Sequence, residues 1–214
     1  MNAQYLMTDP NLSQVAASFA GKTFGGDVVV EHGFLYDRVN IAAGNSLDET
    51  TSQFFTNVGA GSAKTLAQTN LTQSRKLDPP QMFAVHSIQL FFRGDILRAD
   101  IDSIFDRFAF QFFVADAYKF RAPLFCFPQG GGVTGAIAGA GGATPNTVTS
   151  YISNGVPTIQ AIRTLSLPVL IESGISFYAN FTGTGYTATA GGSGGTGITM
   201  YCVLQGLHAR PAVA

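Results

Sequence analysis

The sequence predicts an all-β protein, a single eight-stranded jelly-roll β-sandwich that follows an N-terminal arm. Short apolar and aromatic runs with strand character recur from residue 82 to residue 207, glycine-rich stretches separate several of them, and one segment has helical periodicity. At 214 residues the chain is long enough for one such domain with an added arm. A chain of this size can bury its core without disulfide or metal cross-links.

The predicted strands are short and rich in aromatic and β-branched residues. In ISFYANF (175–181), Ile175 and Phe177 alternate with Ser176 and Tyr178, as a half-buried strand requires. The eight predicted strands are 82–92, 108–115, 118–127, 146–152, 158–165, 167–172, 175–181 and 198–207.

The connections between these strands differ in length. The segment LRADIDSIFDRF (97–108) has apolar residues at helical spacing, which predicts one short helix between the first two strands. Two glycine-rich tracts, 129–142 and 183–197, hold 14 of the 25 glycines. Because glycine loses more backbone entropy than other residues in regular structure, we expect both tracts to be exposed loops. In a jelly roll these long connections would emerge at the same end of the sandwich.

The first 80 residues are less regular. DVVVEHGFLYDRVNI (27–41) predicts a strand broken at Gly33, and residues 42–80 are rich in Ser, Thr, Asn, Gln and Gly without a strong period. We therefore expect an N-terminal arm and extended excursion over residues 1–80, followed by the jelly-roll domain over residues 81–214.

The charge content is low and uneven. Charged residues make up 12% of the chain, against about 25% in a typical soluble domain. From residue 122 onward the charged residues are Arg163, Glu172 and Arg210 alone. So neutral a surface favours self-association. The net charge of −1, with Lys22 as the single basic residue in positions 1–30, argues against strong direct nucleic-acid binding.

The C-terminal strands also carry a family resemblance. SLPVLIESGISFYANFTG (166–183) and ITMYCVLQGLHARP (198–211) are similar to the ends of jelly-roll coat proteins of icosahedral phages. The shared features are a strand with an early proline, a glycine turn, an alternating aromatic strand, and a last strand that runs into G-x-x-x-R-P. The resemblance covers residues 82–211.

This resemblance implies a structural virion protein, the major capsid protein of a bacteriophage, which self-assembles as a homo-oligomeric shell. Its partners would be copies of itself, with other virion proteins or an internal membrane as further candidates. The alternative is a receptor- or carbohydrate-binding module of a phage fibre or spike, with Tyr178 and Tyr186 on its surface; the chain has no Trp, which carbohydrate sites often use. A surface-layer or filament subunit is a third reading.

No catalytic or cofactor-binding residues can be assigned from the sequence, and we expect a protein that is not an enzyme. GAGSAKT (59–65) lacks the glycines of a phosphate-binding loop, because Ala63 and Val58 occupy their positions. His32, His86 and His208 lack metal-ligand spacing, and His86 is expected to be a hydrogen-bonded core residue.

Four acidic residues form the one candidate metal site: Asp95, Asp100, Asp102 and Asp106. Clustered carboxylates suit Ca²⁺ or Mg²⁺. Arginines are interleaved with them, so surface ion pairing is the favoured interpretation and no metal ligand is assigned. Cys126 and Cys202 lie in apolar runs and are expected to be buried free thiols.

Overall fold

The computed structural model describes residues 28–58, 62, 64–92, 98–127, 134–139, 148–153, 162–188 and 197–211. In chain order the elements are β1 (Val28–Ile41), β2 (Met82–Phe92), α1 (Arg98–Arg107), β3 (Phe108–Val114), β4 (Ala117–Pro123), a 3-10 turn (Leu124–Cys126), β5 (Thr134–Gly139), β6 (Val148–Ser153), β7 (Arg163–Ile171), β8 (Phe177–Gly183) and β9 (Ile198–Pro211). The all-β class is therefore as predicted. Among the described residues, no helix has the length and apolar character needed to cross a membrane.

The strands form two main antiparallel sheets and one separate strand pair. The larger sheet has the order β1-β9-β2-β7, the smaller has the order β4-β3-β8, and β5 pairs with β6. Side chains of both main sheets belong to one apolar core. Two antiparallel sheets that enclose a shared core form a β-sandwich.

Phenylalanine dominates the smaller sheet's contribution to this core. Phe110 on β3 is opposite Phe181 on β8, and their rings meet edge to face with centroids 6.1 Å apart. On the other face of the sheet, Phe113 stacks on Tyr178 at 4.6 Å. Both faces of β3 are buried, which explains why its sequence FAFQFFV is almost continuously apolar.

The predicted helix is present as α1. Ile101 and Ile104 are 1% and 0% exposed, and Phe105 packs against the core. The helix begins at residue 98 and ends at residue 107, where β3 starts. The prediction of one short helix between the strands 82–92 and 108–115 is confirmed.

Two strand predictions need correction. Gly33 does not break β1, which pairs with β9 over the whole of 28–41. The predicted strands 158–165 and 167–172 are one strand, β7, in the region that the structure describes. β7 pairs with β2 near both of its ends but not in its middle, since the register shifts between Val85 and Ser87. This irregularity replaces the predicted turn.

The glycine-rich tracts also differ from expectation. Residues 134–139 of the first tract form β5, which pairs with β6 over six residues. The idea that this tract is too rich in glycine for a strand is wrong at these positions, because backbone hydrogen bonds to a partner strand can outweigh a weak intrinsic preference. In the second tract, Gly183 ends β8 and residues 184–188 follow it. Residues 129–133 and 140–142 of the first tract and residues 189–196 of the second lie outside the described residues.

The described part of the predicted arm packs into the same core as the predicted jelly-roll domain. Leu35, Leu47, Phe54 and Leu77 all belong to the core cluster that contains the residues of β2, β3, β8 and β9. Phe54 and Phe55 are fully buried. Residues 1–27 lie outside the described residues, so the N-terminal part of the predicted arm stays a prediction.

Candidate assembly surface and its supporting interactions

The excursion, here residues 42–80, covers one edge of each main sheet. At β8, the Phe54 amide donates to the Ala179 carbonyl at 2.8 Å, and the Phe181 amide donates to Ser52 Oγ at 2.8 Å. At β1, Asn70 Oδ1 accepts from the Tyr36 amide at 3.0 Å. These contacts satisfy backbone groups that an edge strand would otherwise leave open. β1 and β8 are therefore protected from pairing with another chain at these positions.

A buried ion pair fastens the excursion to β1. Asp37 is fully buried, and both of its carboxylate oxygens lie 2.8 Å from Lys64 Nζ. The Phe55 amide donates to Asp37 Oδ2 at 2.6 Å, and Phe55 has a positive φ of 65°. Burial raises the pKa of the Asp37 carboxyl, while the hydrogen bond and charge of Lys64 act in the opposite direction.

The predictions from the sequence do not include this pair. Asp37 is near the middle of an apolar strand, and Lys64 is in the stretch GAGSAKT that fails as a phosphate-binding loop. A charged residue on the core-facing side of a strand was the available signal, because Leu35, Asp37 and Val39 share one face of β1.

The other two outer strands, β4 and β7, have no described segment paired to their outer edges. Each carries a large exposed apolar or aromatic side chain: Tyr118 on β4 is 61% exposed, and Leu167 on β7 is 74% exposed. Phe125, in the turn after β4, is 49% exposed. We call Tyr118, Phe125 and Leu167 the exposed apolar set. Exposed apolar residues beside an open strand edge are features of contact surfaces.

The composition of these two strands disfavours simple strand-to-strand addition. β4 contains Lys119 and Arg121, and β7 contains Pro168, which lacks a backbone N–H. Charges and proline on edge strands oppose open-ended pairing between chains. Contacts at these edges are therefore better made by side chains than by extension of the sheet.

The three histidines are closer in space than in sequence. His32 and His86 line one pocket of about 150 Å³ on the larger sheet, beside the irregular pairing at residues 85–87. His86 is half-buried, and its Nε2 has no hydrogen-bond partner among the described residues. The expected hydrogen-bonded core position for His86 is therefore wrong at this atom. His208 lies in the neighbouring part of β9, where Nδ1 is 4.0 Å from Glu31 Oε1.

The structure gives no support to a metal site in the part of the chain that it describes. There, no three residues of the types His, Cys, Asp and Glu lie close enough to bind a metal ion. Asp100 is buried at the start of α1, whereas Asp102 and Asp106 are exposed. Asp95 lies outside the described residues, so the four-residue cluster as a whole stays untested.

Both cysteines are free thiols, as predicted, but the predicted burial holds only for Cys202. Cys202 on β9 is fully buried, and burial raises the pKa of its thiol well above the usual value, with the nearby Asp37 charge adding to the effect. Cys126 is half-buried. A thiol held neutral and inaccessible is unsuited to nucleophilic chemistry.

Comparison with known proteins identifies no relative of this chain. No family model matches the chain, and neither a curated protein nor a solved structure matches it significantly.

Proposed function

We propose that this chain is a structural virion protein, the major capsid protein of an icosahedral phage shell, and that its sandwich is a jelly roll. The observation that carries the proposal is the exposed apolar set on β4, the turn after it and β7, in a chain with only 12% charged residues. A subunit that is surrounded by copies of itself can carry such a surface, because its neighbours cover the apolar side chains.

The pairing of strands supports the jelly-roll component. β2 pairs with β9, and β3 pairs with β8, so the chain's later strands return to its earlier ones in nested order. Nested antiparallel pairing follows when a long hairpin folds over on itself, as in a jelly roll. The nested order would also pair β4 with β7, but β4 pairs with β3 and β7 pairs with β2, which departs from that scheme.

The residues available for assembly differ from those that hold the subunit together. The buried Asp37–Lys64 pair and the excursion stabilise the subunit, and the exposed apolar set contributes to the contact between subunits. Burial of one leucine side chain contributes about 1.5–3 kcal/mol. Repeated at every contact of a closed shell, this amount would favour assembly strongly.

Electron microscopy and light scattering of the purified full chain test the proposal. We expect closed particles of uniform diameter from the unaltered protein. We expect Leu167→Asp to give a folded subunit with at least a tenfold weaker tendency to assemble, because it puts a charge where a neighbour would bury a leucine. The matched control is Ser166→Asp, which adds the same charge at the adjacent exposed position.

Three results would contradict this reasoning. The unaltered chain could remain a monodisperse monomer, or it could form filaments or flat sheets in place of closed particles. Alternatively, Leu167→Asp and Ser166→Asp could assemble equally well. Circular dichroism of both variants establishes that any loss of assembly is not a loss of folding.

A further inference from the structure

A polar surface pocket lies between the C-terminal half of β1 and the excursion. Its volume is about 220 Å³, and its lining includes Arg38 and Asn40 of β1 together with Gln53, Asn57 and Lys64 of the excursion. No Asp or Glu is among the described residues that line it. The pocket is separate from the exposed apolar set and from the histidine-lined pocket.

The hydrogen-bonding groups of this pocket are biased toward donors. Gln53 Oε1 already accepts from Arg75 Nη2 at 2.9 Å, which leaves the Gln53 amide nitrogen for the pocket. Asn40 Oδ1 likewise accepts from Thr199 Oγ1 at 3.0 Å. Two of the acceptors that could have faced a ligand are therefore in use within the protein.

Lys64 also contributes a hydrogen-bond donor to the pocket, although the Asp37 carboxylate offsets its charge. Two contacts of its ammonium group are to the oxygens of Asp37, which is buried behind it. An ammonium has three donor hydrogens, so one remains for a ligand. Lys64 is therefore a hydrogen-bond donor in this pocket more than a source of net positive charge.

Arg38 supplies the net charge. Its side chain is half-buried, and within the described part of the chain its guanidinium has no hydrogen bond or ion pair. The planar guanidinium can donate two parallel hydrogen bonds to an oxyanion. The geometry thus offers a cationic fork, one ammonium hydrogen and amide donors, and the Asp37 carboxylate that contacts Lys64 is buried behind it and does not line the pocket.

We propose that this pocket binds a small inorganic oxyanion of the phosphate or sulfate class. Arg38 makes the bidentate contact, and Lys64 and Gln53 donate to the remaining oxygens. The volume has room for the ion and several waters, since one water occupies about 30 Å³. Because the site is open to solvent and its net charge comes from one arginine, binding weakens as salt concentration rises.

Isothermal titration calorimetry of the full chain with sodium phosphate in low-salt buffer tests this site. We expect saturable binding, and Arg38→Gln should weaken it by roughly tenfold to a hundredfold, the loss expected for hydrogen bonds to a charged group. Arg38→Lys, which keeps the charge but not the fork, should fall between the two. The matched control, Arg163→Gln on exposed β7, removes the same charge away from the pocket and should bind phosphate normally.

Equal phosphate affinity in the unaltered chain, Arg38→Gln and Arg163→Gln would overturn the proposal, as would the absence of saturable binding at millimolar phosphate. If Arg38→Gln does not fold, Asn57→Leu replaces an exposed pocket residue and should weaken binding severalfold; unchanged affinity there would also overturn it. Tighter binding of glycerol 3-phosphate than of phosphate, lost in the same variants, would support the site with an ester as its ligand.

Discussion

Replacing Lys64 by methionine should destabilise the subunit strongly. The substitution keeps most of the side chain's volume and removes its charge, which leaves the fully buried Asp37 carboxylate with the Phe55 amide but without its cation. Removal of one partner of a buried pair costs about 3–5 kcal/mol. Lys64 is itself 15% exposed, so water can reach the site, and we expect a value near the lower limit, about 3 kcal/mol.

The destabilisation caused by Lys64→Met should depend on pH. The Asp37 pKa is already raised in the folded protein, so its favourable contribution to stability is present below the unfolded pKa and is lost as pH rises through the folded pKa. Lys64→Met removes two effects that lower this pKa, so the folded pKa rises further and the loss extends to higher pH. Each pH unit between the two folded pKa values changes the destabilisation by about 1.4 kcal/mol.

Urea unfolding, followed by circular dichroism at one protein concentration, measures both effects. The matched control is Lys76→Met, which removes an exposed cation from the same excursion and should change stability by less than about 0.5 kcal/mol. The destabilisation by Lys64→Met should be greatest at neutral pH and should shrink as pH falls and Asp37 becomes protonated. A cost no greater than that of Lys76→Met, or one that is independent of pH, would refute the reasoning.

Two further predictions concern β9. A Cβ at Gly206 would lie 1.8 Å from the Ala84 carbonyl oxygen, so Gly206→Ala should destabilise the fold by about 3 kcal/mol in urea unfolding. As a control, Gly174→Ala adds a Cβ in open space at a φ of 75° and should destabilise the fold by about 1–2 kcal/mol. Equal destabilisation by the two substitutions would contradict the close approach at Gly206. In a thiol-reagent assay of the native protein, Cys126 should react before Cys202, because burial raises the Cys202 pKa and blocks access; simultaneous reaction would contradict this order.

Local patterns in the sequence predicted the elements whose own residues determine them. The bounds of β2 are those predicted, and β8 buries Phe177, Ala179 and Phe181 on the face that alternation assigned to them. α1 differs from the predicted helix by one residue at each end. In these segments the pattern of apolar side chains directly predicts which residues are buried, because one face of each element meets the core.

Long-range contacts explain what the sequence could not predict. The excursion has no period of its own because its backbone groups bond to other segments, as in the Phe54–Ala179 and Asn70–Tyr36 contacts. β5 is a strand through its pairing with β6 rather than through its composition. Asp37 requires a partner 27 residues away, which no local pattern indicates.

The low charge of the C-terminal half of the chain is weaker evidence for assembly in the structure than it is in the sequence. β9 lies between β1 and β2, so both of its edges are paired within the subunit. β8 pairs with β3 on one side and is covered by the excursion on the other. The scarcity of charge in these two strands is therefore explained by burial in their own subunit.

Of the strands after residue 162, β7 alone lies at an outer edge that no described segment covers, and there Leu167 is 74% exposed. Among the described strands after residue 162, low charge as a sign of assembly thus depends mainly on β7, which makes Leu167 the position where the proposed contact between subunits is most directly tested.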